Sequence, residues 1–346
     1  MGIFRFLACF IFLLLSLASF AIDADNEGIL SVGYFHSCAL DDSGVICWGS
    51  NSYGQTDVPT LSNPKQVFLG ERHTCALDDM GVVCWGDNEY GQTSVPALSN
   101  PTLVTSGLLH SCALDDTGVV CWGSNYHGQT DMPSLSNPTQ VFLGGYHTCA
   151  IDDTGLICWG LNRHGQIDVP SLSNSTQFSL GGAHNCALDD SGVVCWGRND
   201  YGQADVPSLS NPTQVSAGLK HTCALDDTGV VCWGLNNHGQ IDVPSLSNPT
   251  QVSSGGYHTC ALDDLGLACW GRNDDGQTVA PELSFTFDEG VTSAVLDIDA
   301  NGSFDALTDG LIILRYAFGL RGQDLIDGVI SEDAMRAEAA DIETYI

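Results

Sequence analysis

Seven copies of one 37-residue unit occupy most of this chain, and their register never slips. His36, His73, His110, His147, His184, His221 and His258 each open the same string, seen plainly in His258-Thr-Cys-Ala-Leu-Asp-Asp-x-Gly through Cys269-Trp270-Gly271. A fixed period of this length marks a solenoid, propeller or array, in which one unit cannot bury its own apolar face and must stack on its neighbours.

Within a unit such as His221 to Gly234, two runs rich in Val, Leu, Cys and Trp flank Asp-Asp-x-Gly. That is strand, tight turn, strand. If Asp226 and Gly229 close the turn, Leu225 faces Val230 and Cys223 faces Cys232, which makes a disulfide inside each hairpin geometrically reasonable. The pairs are Cys38/Cys47, Cys75/Cys84, Cys112/Cys121, Cys149/Cys158, Cys186/Cys195, Cys223/Cys232 and Cys260/Cys269. Consecutive apolar residues, as in Val230-Val231-Cys232-Trp233, suit a sheet covered on both faces, which a propeller supplies. Asn-x-x-Gly-Gln, a Val-Pro, the turn Leu-Ser-Asn-Pro and a run such as Gln214-Val215-Ser216 complete the unit, predicting three clear strands and one short fourth. The expected fold is all-β: a seven-bladed propeller of 37-residue repeats, followed by a small helical calcium-loop module. A linear β-solenoid is the alternative, but its coils are usually shorter.

The ends differ from the repeats. Residues 1–21 carry one basic residue, Arg5, an apolar run from Phe6 to Leu17 and small residues up to Ala21, which predicts a cleaved secretory signal. A membrane anchor is the alternative, but the run is short of the roughly 20 residues a span requires. The expected organisation is signal peptide 1–21, propeller 22–284 and calcium-binding module 285–346. Cys9 leaves with the signal, and an even set of cysteines in an exported chain reads as a disulfide framework. A formal net charge of −32 with only ten Lys and Arg argues against nucleic-acid and anionic-membrane binding.

The strings Gly-x-x-His-(Ser/Thr)-Cys-Ala-Leu, Gly-Val-x-Cys-Trp-Gly and Asn-x-x-Gly-Gln resemble the repeats of the regulator of chromosome condensation superfamily. The compact period and Trp48-Gly49-x-Asn51-x-x-Gly54-Gln55-Thr56-x-Val58-Pro59 look like its bacterial propeller-type β-lactamase inhibitory branch. The resemblance covers all seven repeats and implies a seven-bladed propeller. It implies function weakly, since one fold hosts many functions. Guanine-nucleotide exchange and chromatin binding, the activities of the superfamily's eponymous member, sit badly with a signal peptide, paired cysteines and acidic charge.

Three constellations invite chemistry. His-x-Cys with the opposite Cys could supply three zinc ligands, but seven identical sets without a regular fourth ligand look structural. The histidines are expected to pack at the strand start and bond to the backbone of a neighbouring blade. The Asp-Asp pairs, Asp41/Asp42 to Asp263/Asp264, are expected to cap hairpin tips on a solvated rim, where nothing separates their pKa values for acid–base work. The variable pairs inside Asn-x-x-Gly-Gln are the more informative positions. They place Tyr53, Tyr90, Tyr126, His127, His164, Tyr201 and His238 in equivalent loops at one end of the disc, a candidate partner-binding ring; the competing reading is that they only cover the Gly-Gln backbone. The residues before each His, from Tyr34-Phe35 through Leu108-Leu109 to Tyr257, extend that surface.

Beyond the repeats, Asp297, Asp299, Asn301, Ser303 and Asp305 stand at alternate positions with Gly302 at the sixth, as a calcium loop requires. The closing ligand is Asp309 or Thr308. With the apolar run Leu311 to Phe318, this looks like one dockerin-type or EF-hand-like repeat binding one Ca2+, though a second repeat and hence cohesin-type partnering are not evident. The expected protein is a secreted or cell-envelope monomer, not an enzyme, that binds a protein or cell-surface glycan. Its rivals are an inhibitor of a secreted enzyme such as a β-lactamase, a structural envelope protein, and a hydrolase or lyase with channel-facing carboxylates.

Overall fold

The computed structural model describes residues 30–283, all within one unit, Met1–Ser284. The signal segment 1–21 and the proposed calcium ligands Asp297, Asp299, Asn301, Ser303, Asp305 and Asp309 lie outside the described residues. Seven three-stranded antiparallel sheets follow one another. Each is a blade with an inner, a middle and an outer strand in chain order. The middle strands are His36–Asp41, His73–Asp78, His110–Asp115, His147–Asp152, His184–Asp189, His221–Asp226 and His258–Asp263, defining blades 1 to 7.

The hairpin register is the one the turn chemistry demands. Asp226 pairs Gly229, Leu225 pairs Val230 and Cys223 pairs Cys232, and every blade repeats this. All seven disulfides form between directly opposed cysteines: Cys38–Cys47, Cys75–Cys84, Cys112–Cys121, Cys149–Cys158, Cys186–Cys195, Cys223–Cys232 and Cys260–Cys269. Their sulfurs are therefore not free to ligate zinc.

The expectation of sheets covered on both faces holds for the middle strands and fails for the outer ones. His73–Asp78 is wholly buried, but Gly81–Gly86 is only half-buried. The two cysteines of a bond differ in the same way. Cys38, Cys75, Cys112 and Cys186 are completely buried, whereas their outer-strand partners Cys47, Cys84, Cys121 and Cys195 are half-buried, as are Cys158, Cys232 and Cys269. Blades diverge from the axis like wedges, so covering weakens toward the rim.

The expected short fourth strand is absent among the described residues. Val58 instead bonds its N–H to the carbonyl of Thr56 in a tight turn, and Pro59 has no N–H to offer a ladder.

The last blade meets the first as any blade meets the next. Gly256 N–H donates to Gly33 O at 3.0 Å, Trp48 Nε1 donates to Gln277 O at 3.0 Å, and His258 Nε2 lies 2.7 Å from Ser37 Oγ. These repeat the internal junctions Gly145 to Gly181, Trp85 to Gln55 and His36 to Thr74. The ring is closed, which a linear solenoid cannot be.

The junctions explain the fixed residues. At blades 1 and 2, His36 Nε2 sits 2.8 Å from Thr74 Oγ1, and that hydroxyl donates to Gln55 O at 2.9 Å. The hydroxyl's one proton is thereby committed, so His36 must donate from Nε2. The histidines thus bond a neighbouring side chain rather than neighbouring backbone; in blade 4 the acceptor is Asn185 Oδ1, whose amide donates on to Gln166 O. Trp85 Nε1 also donates to Gln55 O, so one Gly-Gln carbonyl fastens two groups of the next blade. Beneath each ring lies a glycine: a Cβ on Gly70 would fall 2.1 Å from His73 Cε1 and 2.6 Å from Gly107 O.

Candidate binding face

The two ends of the disc have different chemistry. One end carries the Asp-Asp hairpin tips and the Ser-Asn-Pro turns. The first Asp of a pair is not on a solvated rim as expected: Asp78 is buried, accepting from the N–H of Met80 and of Ser62, each at 2.7 Å. Such bonds, from Ser99 N–H and the Thr117 hydroxyl, hold the Asp115 carboxyl below the usual carboxylate range. The second Asp is exposed and bonds the turn Asn, as Asp116 does with Asn100 Nδ2 at 2.6 Å. That Asn has φ near +50°, a conformation Asn tolerates better than most residues. Both carboxylates are structural caps.

The opposite end displays the variable pairs. In blade 1's loop, Asn51 Oδ1 accepts from Thr56 N–H and Asn51 Nδ2 donates to Asp57 Oδ1, while the buried Gln55 accepts Tyr53 N–H at 2.9 Å. Gly54, at φ +77°, turns the chain between them. The fixed Asn and Gln satisfy the loop's own backbone, leaving the two variable side chains directed outward. Tyr126 is 77% exposed, Tyr53 46% and Tyr201 41%; His164 and His238 are exposed, and Tyr90 and His127 half-buried.

The loops lean on the residues that precede the buried His of the next blade. Arg72 stacks over the Tyr53 ring at 4.8 Å and donates to its hydroxyl at 2.8 Å. Lys220 lies 5.2 Å over Tyr201, His127 meets Tyr146 at 5.3 Å, and His238 meets Tyr257 at 5.3 Å. Tyr90 and Tyr126 of neighbouring loops meet edge-on at 5.8 Å. Nearer the axis, Tyr34 contacts Tyr257, with the hydroxyls 3.3 Å apart, and Arg272 covers both Phe35 and Tyr257. Burial raises the pKa of Tyr34 and, beside it, of the Glu71 carboxyl.

Equivalent loops of the closed ring place all seven predicted residues at one end, and Tyr53, Tyr90, Tyr126, His127, Tyr201 and His238 pack against other side chains there. Sequence reasoning missed the cations. Of the Lys and Arg among the described residues, Arg72, Arg163, Arg198, Lys220 and Arg272 stand on this face, and only Lys65 on the other. Their scarcity in the chain was visible; their gathering at one end was not, because they occupy three different repeat positions. Aromatic rings with guanidinium groups stacked on them are what protein interfaces favour at energetic centres.

The family model for the Regulator of chromosome condensation (RCC1) repeat matches seven segments: 30–55, 65–92, 102–129, 139–166, 176–203, 213–240 and 250–277. No curated protein matches the chain. Among solved structures, the chain is similar to the ectodomain of the Physcomitrella patens receptor kinase CR4, at 25% identity and TM-score 0.60 over 70% of this chain and 73% of that one. It is also similar to the CRINKLY WD40 ectodomain of the Arabidopsis thaliana receptor kinase ACR4, at 23% identity and TM-score 0.59 over 70% and 97% of the two chains. Prp20p of Saccharomyces cerevisiae shares the fold at 17% identity and TM-score 0.57, over 77% and 89%.

Proposed function

This chain belongs to the regulator of chromosome condensation (RCC1) repeat family, and from that premise we propose that it is an exported, non-enzymatic binding protein that presents the aromatic end of its propeller, with the Arg and Lys side chains stacked there, to a protein or cell-surface glycan. The observation that carries the proposal is the concentration of Tyr, His and cationic side chains on one face, displayed by loops whose own backbone is already satisfied. Seven disulfides support export, because such bonds persist in oxidising compartments. The similarity to a receptor ectodomain points the same way. A binding role without catalysis is supported by the near-identity of the blades and by the capping duty of the Asp pairs.

Alanine at Tyr53, Tyr90, Tyr126 and Tyr201 together is expected to lower affinity for partners in the native envelope fraction by at least roughly thirtyfold, about 2 kcal/mol for truncating interface anchors. Undiminished binding by this variant, at an unchanged melting temperature, refutes the ring. Inhibition of a secreted enzyme is the narrower form of the reading, and a panel of β-lactamases at micromolar inhibitor tests it directly.

In the segment after the propeller, Asp297, Asp299, Asn301, Ser303, Asp305 and Asp309 are proposed to hold one calcium ion in a docking or stabilising module. Support comes from the spacing of oxygen ligands around Gly302. Calorimetric titration of the full chain should give one site that Asp297→Ala with Asp299→Ala removes. No heat of binding up to about 1 mM calcium, the weak end for extracellular modules, sinks the assignment.

A further inference from the structure

The inner strands of all seven blades enclose a central cavity of about 220 Å3, smaller than the roughly 300–1,000 Å3 of a drug-sized site. Its wall is set by one position, two residues before the glycine that ends each inner strand. Ser179, Ser216, Ser253 and Ser31 occupy it in the adjoining blades 5, 6, 7 and 1; Phe68, Thr105 and Phe142 occupy it on the opposite arc. One side is wholly hydroxylic, and the other carries the two aromatic rings on either side of a threonine.

The polar side is left with hydrogen-bond donors. Ser179 Oγ accepts Ala217 N–H at 2.9 Å and Ser216 Oγ accepts Ser254 N–H at 2.8 Å. Gln177 and Gln214 each accept, through Oε1, a backbone N–H of the next blade at 2.8 Å. Each of these oxygens holds inner-strand backbone that no fourth strand pairs, while the two hydroxyl protons and two amide groups have no protein acceptor among the described residues. Ser254, only 8% exposed, and, on the opposite arc, Ser106 add hydroxyls with no partner, and both line the cavity. No ionisable side chain lines it.

We propose that this channel is a binding site for a neutral, acceptor-rich small molecule of monosaccharide size. A pyranose matches both walls, because its hydroxyl oxygens accept from the Ser and Gln donors while its C–H face packs on Phe68 and Phe142. Neutrality follows from the wall itself, which offers no ionisable side chain to pair with a charged occupant. The donors demand an occupant, and the competing one is water alone.

Position equivalence supplies a clean test. Phenylalanine is native at this site in blades 2 and 4, so Ser253→Phe fills the channel with a side chain the fold already accepts. Saturation-transfer NMR on the full chain with glucose, galactose and N-acetylglucosamine should show saturable binding of at least one, with Kd of about 1 mM or tighter and strongest transfer to its C–H face. Ser253→Phe should weaken that binding more than tenfold without lowering the melting temperature, while the four-tyrosine loop variant leaves it unchanged. No binding of any of the three sugars means a water-filled channel and overturns the proposal. So does binding that survives Ser253→Phe, which locates the sugar elsewhere, and so does equal or tighter binding of glucose 6-phosphate, which removes the neutral specificity.

Discussion

Lowering the pH from 7 to 5 is expected to destabilise the propeller by about 2 kcal/mol for each buried histidine that stays neutral, following the linkage between proton uptake and folding. All seven are fully buried. Burial pushes their pKa down to about 3 at His36, His73, His110, His184 and His258, and to about 4 at His147 and His221. Nδ1 has no partner in any of them, so a second proton would be both a buried charge and an unsatisfied donor.

Above about pH 6.5 the imidazoles are neutral in both folded and unfolded chains, and nothing is lost. Between that value and the folded values of about 3 to 4, the unfolded chain takes up protons that the folded ring refuses, and stability falls with pH. Below the folded values the penalty stops growing. Several such terms together are comparable with the roughly 5–15 kcal/mol that stabilises ordinary domains. The carboxylates with depressed values, such as Asp115 and Asp226, act in the same direction but only at lower pH, near and below the ordinary Asp value. Urea unfolding at pH 7.5, 6 and 5 separates the two groups. A folding free energy that holds constant from pH 7 to 5 contradicts the neutral-histidine ring.

Reduction of the disulfides is expected to have the second large effect. Each bond joins cysteines nine positions apart, and on the loop-entropy model each contributes about 2.7 kcal/mol. The seven contributions do not sum, because a reduced hairpin keeps its turn chemistry and some structure in the unfolded chain. The middle-strand cysteine of every pair is completely buried, so reductant should act slowly on the native ring and enter from the half-buried outer side, at Cys47, Cys84, Cys121, Cys195 and their equivalents. Replacing Cys149 and Cys158 with alanine should cost about 2–3 kcal/mol in urea. Full reduction should lower the melting temperature far more than that single deletion does. A reduced protein that melts within a degree or two of the oxidised one would show that the bonds contribute no stability.

The two effects act on different parts of the fold. The disulfides lie within single hairpins and leave the blades unjoined to one another. The histidines lie between blades, where His36, Thr74 and the Gln55 carbonyl link one sheet to the next. Acid therefore attacks ring closure, while reduction attacks the units that are closed.

The hairpins were legible residue by residue, because Asp-Asp-x-Gly places a turn and period-two geometry then dictates which residues face each other. Equal burial of both strands was misread, since a run of apolar residues does not reveal how far a strand lies from the axis. The expected fourth strand is missing among the described residues because the segment after the outer strand is consumed by turns, where Asn51 satisfies the loop backbone and Pro59 has no N–H to donate. The His partner was misread because a strand-start imidazole can reach either backbone or side chain, and only the blade angle brings Thr74 within 2.8 Å. The Asp tips were half misread: Asp78 is buried by the Ser62 turn, a segment sixteen residues earlier in the chain. In the candidate site, the seven loop residues could be named from the variable positions alone. Their pairing with Arg72, Tyr146, Lys220 and Tyr257 could not, since it crosses from one repeat to the next.

By itself, the sequence determined whatever depends on local spacing: seven equal units, their hairpin registers, the cysteine pairs and the two variable positions in each loop. Tertiary structure decided what depends on closing the ring. Closure faces each blade's histidine to a polar side chain of the next blade, gathers cations from three repeat positions onto one end, and sets a serine arc against Phe68 and Phe142 across the axis. The physical reason is that strand and turn geometry acts between neighbours in the chain. The stacking of cations on rings of the next blade and the channel chemistry instead depend on the angle between sheets, which one repeat does not contain.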